Sequence, residues 1–200
     1  MTIKKGEEWG TVGPRPEGTI VVASDAQARA IVEPARRANR PIPPLYLRSG
    51  DLARTIGVVP GAAREETRIL PCDLGAALLD GRLFWFVSSL VAGEPFRRGR
   101  CVAIMNTEWL GDWDIAPRGH PNDGLLDILD MQLSFGQARA AGRRARLGDH
   151  LPHPGIEVHR MAAMQLDFPR PTIVRLDGAV VGRFRNLSVR VEPDALTVVV

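Results

Sequence analysis

"HPNDGLLDILD", residues 120–130, places carboxylates around a glycine and a pair of leucines. Asp123 and Asp127 stand four apart, with Gly124 directly after the first. A solvated turn accounts for acid at the mouth of an apolar run, and so does a metal site. The run itself, "GLLDILDMQ", reads as a β-strand. The fold then depends on whether the rest of the chain supplies strands to pair with it.

It does so on both sides. Downstream, after a helix expected over about 134–147, come "GIEVHRMAAMQLDF", "TIVRLDG", "AVVGRFRN", "LSVRVEP" and "LTVVV". Upstream lie "TRILPCDLGAALL", "RLFWFVSSLVAG" and "RCVAIMNTEWL", each read as one strand. Asp80-Gly81 and Asp177-Gly178, set between such runs, are hairpin signals, because tight two-residue turns need positive φ at both central positions. The texture changes after Gly61. Before it, "GTIVVAS" reads as a short buried strand and "DAQARAIVEPARRANR" as a helix over 25–40, capped by Ser24 or Asp25 and kinked or shortened by Pro34. A strand at 44–47 and a short helix ended by Gly57 complete a small, parallel β-α-β-α unit. The expected fold class is α+β: a small α/β unit over 1–62, then a mostly antiparallel β-sandwich over 63–200 with one inserted helix.

Composition limits what such a chain does. The 200 residues are 44% hydrophobic, enough for a real core. No apolar run approaches the roughly 20 residues of a membrane span, and the start, "MTIKKGEEWG", lacks the apolar stretch of a signal peptide. A cytoplasmic location is the expectation. Cys72 and Cys101 lie 29 positions apart in apolar strand-like runs and read as small core residues. His150 and His153 flank a Leu-Pro and read as loop, not as zinc ligands. Lys4 and Lys5 are the only lysines among 26 basic residues. With abundant Ala, Gly and Pro, that bias reads as GC-rich coding, so arginine content alone does not argue for nucleic acid. The densest patch has Arg139, Arg143, Arg144 and Arg146 on one helix, without the interleaved aromatics that single-stranded nucleic acid wants. It suits a solvated face or contact with an anionic membrane surface.

The order of these signals resembles the diacylglycerol kinase and sphingosine kinase superfamily, in its bacterial soluble lipid kinase form. "IAPRGHPNDGLLDIL", 115–129, is similar to the family's Ala-Pro, spacer and Asp-Asp-Gly-x-Leu-Asp loop. "VRLDGAVVG", 174–182, resembles its Asp-Gly-Glu turn, and "VEPDALTVVV" its closing strand. "GIEVHR" after "DHLPHP" also fits, so the resemblance spans 67–200. Before that it has decayed. Where the kinases carry a Gly-Gly-Asp-Gly-Thr loop for ATP phosphates, this chain has "VVASDAQARA", with Asp25 kept and Ala23, Ser24, Ala26 and Gln27 in place of glycines and threonine. Glycine matters there because the backbone must approach the phosphates and offer its N–H groups. Where they carry Gly-Thr-Gly-Asn-Asp, "LRSGDLARTIG" keeps Ser49, Gly50 and Asp51 but puts Arg48 at the first glycine. The kinases also have a further βαβ unit of ~30 residues ahead of the loop.

The resemblance implies roles. Asp177 matches the general base that takes the lipid hydroxyl proton, although Ala179 replaces the neighbouring glutamate. A plain hairpin turn explains Asp177-Gly178 as well. Asn122, the Leu125 carbonyl and Asp127 match a magnesium loop, with an amide where a first carboxylate is usual. Asp25, Ser49, Gly50 and Asp51 match the nucleotide contacts. Trp109 and Trp113 flank Gly111 where a lipid pocket is expected, and they suit a packed core equally. The expectation is a degenerate, non-catalytic relative that binds a lipid, a small amphiphile or a protein partner. It would do so without ATP, with magnesium an open possibility, and as a homodimer. The competing expectation is an active ATP- and magnesium-dependent lipid kinase.

Overall fold

The computed structural model describes residues 9–59 and 67–200. Gly61 and the expected boundary between 62 and 63 lie outside the described residues, as do Lys4 and Lys5. The class is α+β, dominated by antiparallel sheet, as the sequence reading expects.

The N-terminal elements are β1 (Thr11–Val12), β2 (Ile20–Val22), α1 (Asp25–Arg37), β3 (Leu45–Leu47) and α2 (Asp51–Thr55). Ser24 caps α1 by accepting the Gln27 N–H, and the Gln27 side chain returns to accept that of Ala23. The helix runs one turn past Pro34 and stops at Arg37, short of the expected 40. Ala28, Val32 and Ala35 form its buried face. As expected, β2 and β3 pair in parallel.

The remaining strands are β4 (Arg68–Leu79), β5 (Arg82–Phe86), β6 (Ser89–Ala92), β7 (Gly99–Met105), β8 (Trp109–Leu110), β9 (Trp113–Asp114), β10 (Leu126–Leu133), β11 (Ile156–Met161), β12 (Ala163–Leu176) and β13 (Ala179–Val199). The inserted helix, α3 (Phe135–Arg144), continues as a 3₁₀ turn through Leu147. Eleven strands form one sheet in the order β1-β4-β13-β12-β6-β7-β10-β11, with β5 beside β4. β3 pairs in parallel with the end of β13, so the N-terminal unit is spliced into the sandwich's own sheet. Both Asp-Gly hairpins form, with φ of 43° and 81° at Asp80-Gly81 and 51° and 81° at Asp177-Gly178.

Four strand readings need correction. "RCVAIMNTEWL" ends as a strand at Met105 and resumes as the separate β8, and "GIEVHRMAAMQLDF" breaks at Ala162 between β11 and β12, the latter running on through "TIVRL" to Leu176. "RLFWFVSSLVAG" is not one strand: it breaks between β5 and β6, because the Val87, Ser88 and Ser89 N–H groups are taken by a side chain. The last three expected strands are one, β13, bent where its register against β4 shifts between Glu192 and Leu196 and Asp194 adopts φ +52°.

Three apolar clusters hold these layers. Phe86, Leu90, Ile104, Leu126 and Leu176 fill the sandwich interior. Leu45, Leu52, Leu70 and Val198 join the N-terminal unit to β4 and β13. Met105, Leu129, Ala138 and Ala141 pack α3 onto β7 and β10. Cys72 and Cys101 are free and buried among them, and burial pushes both thiols up. Among the described residues no helix is long and apolar enough to cross a membrane.

Candidate functional site

Asp177 sits in the β12–β13 turn, but its carboxylate points inward. It accepts the backbone N–H groups of Val87 (3.0 and 3.1 Å), Ser88 (2.8 Å) and Ser89 (3.1 Å), and the Ser88 hydroxyl at 3.0 Å. Arg29 Nε, on the second turn of α1, lies 3.7 Å from Asp177 Oδ2, a charge contact too long for a hydrogen bond. Burial outweighs the donors and pushes the carboxyl up to about 7, with the nearby Asp25 charge adding to the rise. The hairpin and the acidic-site readings of Asp177 therefore describe one residue.

Asp25 opens α1 and turns its carboxylate to the other helix. Oδ2 accepts the Asp51 N–H at 2.6 Å and Oδ1 the Leu52 N–H at 3.3 Å, so the carboxylate fills the N-terminus of α2. Gly50 permits this approach: its φ is +115°, and a Cβ there would lie 2.6 Å from Asp25 Oδ1. Burial raises Asp25, against the lowering effect of the Asp51 and Leu52 N–H groups it accepts. Asp51, pushed up to about 6 by burial and by Asp25, accepts the Gly111 N–H at 2.9 Å. The Ser49 hydroxyl donates to the Ala23 carbonyl. The expected set of Asp25, Ser49, Gly50 and Asp51 thus assembles, close enough to Asp177 for the Asp25 charge to act on it.

Sequence reasoning missed Ser88 and Arg29. The signal for Ser88 was a pair of serines inside an otherwise apolar run; Arg29 carried none.

The 120–127 loop is also assembled. Asp123 caps it by accepting the Leu125 N–H at 3.0 Å. Asn122 is buried and donates its amide to Asp194 Oδ1 at 2.8 Å and to Asp73 Oδ1 at 3.4 Å, while its own Oδ1 has no partner among the described residues. Asp73, not foreseen, holds the loop by accepting the Gly124 and Asp194 N–H groups at 2.8 and 3.0 Å. Burial takes it to about 6. Asp127 faces the Arg160 guanidinium, with Nε 3.0 Å from Oδ1, and the Arg160 Nη2 pairs with Asp123. Burial still holds Asp127 up at about 6. Among the described residues no three His, Cys, Asp or Glu side chains cluster as a metal would need.

The β8–β9 hairpin sends its tryptophans to different neighbours. Trp109 lies under the Arg54 guanidinium, 3.4 Å from ring centroid to carbon, against α2. Trp113 donates its indole N–H to the Gly142 carbonyl of α3 at 3.1 Å and lines a cavity of about 750 Å³ that also touches Gly178. A second cavity, of about 1000 Å³, lies beside Asp127 and Arg160.

The YegS C-terminal NAD kinase β-sandwich-like domain matches residues 87–200. No curated protein matches the chain by sequence. Among solved structures, a diacylglycerol kinase of Bacillus anthracis str. Sterne superposes with a TM-score of 0.65 at 15% identity, over 90% of this chain and 75% of that one. A candidate diacylglycerol kinase of the same organism gives 0.68 at 14% identity, over 90% and 77%. Identities this low speak for the fold alone, and the fold agrees with the resemblance read from the motifs. By the match over more than half its length, the chain belongs to the family of the YegS C-terminal NAD kinase β-sandwich-like domain.

Proposed function

We propose that this chain is a non-catalytic, diacylglycerol-kinase-like protein that binds a lipid or small amphiphile and does not transfer phosphate. The observation that carries this reading is the Asp25 carboxylate in the N-terminus of α2. A helix N-terminus receives phosphate through free N–H donors and a favourable dipole. Here the Asp51 and Leu52 N–H groups are engaged by a carboxylate, and at α1 the Gln27 N–H is engaged by Ser24 and the Ala23 N–H ahead of the helix by Gln27. A triphosphate would meet the Asp25 and Asp51 carboxylates instead of open backbone. Phosphoryl transfer depends on positioning and charge neutralisation, and this arrangement supports neither.

The same reading extends to magnesium. The Arg160 guanidinium already pairs with Asp123 and Asp127, so the loop has an internal cation and one unpaired amide oxygen, a poor match to the hard anionic oxygen set magnesium prefers.

Calorimetric titration of the purified protein with ATP, with and without magnesium, tests the proposal. No heat up to millimolar ATP is expected. A micromolar dissociation constant that depends on magnesium would replace it with the active-kinase reading.

A further inference from the structure

The geometry points to a binding site for an elongated aromatic monocarboxylate in the trough beside β11, with the carboxylate at its Arg118 and Arg160 end. This rests on the binding reading above and names a place and a ligand class for it.

The trough lies where the sheet ends, on the face of β10 and β11 turned away from the sandwich interior. The register sets Asp127 opposite Arg160, Leu129 opposite Val158 and Met131 opposite Ile156, so these side chains share that face. Two loops, 115–118 and 148–154, wall it. The buried His150 ring ties one loop to the other, its Nε2 lying 3.1 Å from the Ile115 carbonyl oxygen. Gly148 lets them close up, since a Cβ there would stand 2.7 Å from Asp114 Oδ2 and 3.5 Å from Pro117 Cγ. The walls are thus set before a ligand arrives, which spares it the cost of ordering them. Leu129 and Ile156 are buried in the floor, whereas Pro117, Pro152, Pro154 and Val158 line the same space and are exposed. Exposed apolar groups gathered in one concavity with a polar rim mark a ligand groove, unlike apolar residues scattered singly. Flat proline rings and aromatic rings are natural partners in such contacts. The volume of about 1000 Å³ falls at the upper end of small-molecule sites.

Polar groups stand at its two ends. At one, the Arg160 guanidinium is held in place by two carboxylates: Nε lies 3.0 Å from Asp127 Oδ1, and Nη2 donates to Asp123. Nη1 is left for a ligand. Arg118 joins it, close enough for its charge to act on Asp127. Two guanidinium groups in the lining thus face one carboxylate, that of Asp127, and the surplus suits a single anionic group. A carboxylate matches the planar fork of a fixed guanidinium. At the other end stands His153, bridged to Ile156. Ile156 is four residues from Arg160, or about 13 Å along a strand, less the reach of the two side chains. His153 Nδ1 accepts the Gly155 N–H at 3.0 Å, so the ring proton sits on Nε2. That N–H donates to an oxygen at the far end of the ligand. An acid group, a flat apolar body and a distal oxygen, in that order, describe a hydroxyaryl carboxylic acid.

The test is calorimetry with three probes: 3-(4-hydroxyphenyl)propionate, its methyl ester, and acetate. The hydroxyaryl acid is expected to bind, with the uncharged ester and the bodiless acetate each weaker by about tenfold or more. Arg118→Glu reverses the charge at the acid end, and Val158→Arg fills the middle of the trough. Each should lower the affinity by about tenfold or more without moving Tm, since both side chains are exposed. Equal binding of the methyl ester, unchanged affinity in either variant, or no binding of the acid up to millimolar concentration would each overturn the site. The ATP titration reports separately. Silence to ATP with no binding of the acid removes this site and leaves the non-catalytic reading standing. ATP heat with binding of the acid kept does the reverse.

Discussion

Three consecutive backbone N–H groups at 87–89 end on one side chain, that of Asp177. Asp177→Ala would leave them buried without acceptors, and a loss of about 3 kcal/mol or more is expected in chemical denaturation. The pH dependence comes from the raised carboxyl. The folded protein keeps a proton on Asp177 up to about pH 7, whereas the unfolded chain gives it up near the ordinary value of 3.8. Stability from this group is therefore full at low pH and is lost as pH rises through 7. Asp25 and Asp51 act in the same direction. His120 and His150, lowered by burial, act oppositely below their ordinary value of 6.5 but are fewer. Tm should fall from pH 5 to pH 8, and Asp177→Asn should flatten the fall; a Tm that rises over that range contradicts the assignment. Arg160→Met tests the internal cation. It should cost about 3 kcal/mol by leaving Asp127 and Asp123 unpaired, and added magnesium should restore part of the lost Tm. The wild type should not respond to magnesium, and an equal Tm rise in both proteins would mean that the loop takes the ion despite Arg160. At this scale Asp25, Asp51 and Asp177 were legible because each lies in a short motif with a turn or cap signature. Asp73, Ser88 and Arg160 were not, because their meaning comes from partners 33 to 121 residues away.

Hairpins and helices were largely readable, since their signals are local: Asp-Gly turns, Ser24 before α1, and the basic helix after β10. Strand ends were read less well. "FVSS" continues an apolar pattern, and nothing within it shows that a distant aspartate will draw off its donors. The single β13 went unread because Pro193-Asp194 looks like a stop, whereas it forms a bend in a continuing strand. β4 carries a sharper constraint. Gly75 pairs with Phe86 of β5, and a Cβ at Gly75 would sit 2.1 Å from the Phe86 ring. Gly75→Ala should therefore cost about 2 kcal/mol or more in denaturant unfolding, despite alanine's better fit to a strand elsewhere. Adding Phe86→Leu should recover part of that loss. A neutral Gly75→Ala would show that the ring moves freely and that β5 is not held against β4.

Across the molecule, the parallel pairing of β3 with β13 joins residues 45–46 to residues 198–199. No sequence pattern announces such a link. With Leu45, Leu70 and Val198 in one cluster, the N-terminal unit and the sandwich should unfold together. Differential scanning calorimetry should give one transition whose van't Hoff and calorimetric enthalpies agree. Two separated transitions would show that the splice carries little cohesion.

That splice also shapes what can be eroded from the gene. An exposed loop position such as Ala23 can be exchanged one codon at a time without uncovering the core. The strands beside it are held by a different obligation: removing β2, β3 and α1 would strip the cover from Leu70, Leu74 and Val198 on the sandwich itself. The lobe can change its surface chemistry without being free to disappear, because it serves as the wall of its neighbour's core.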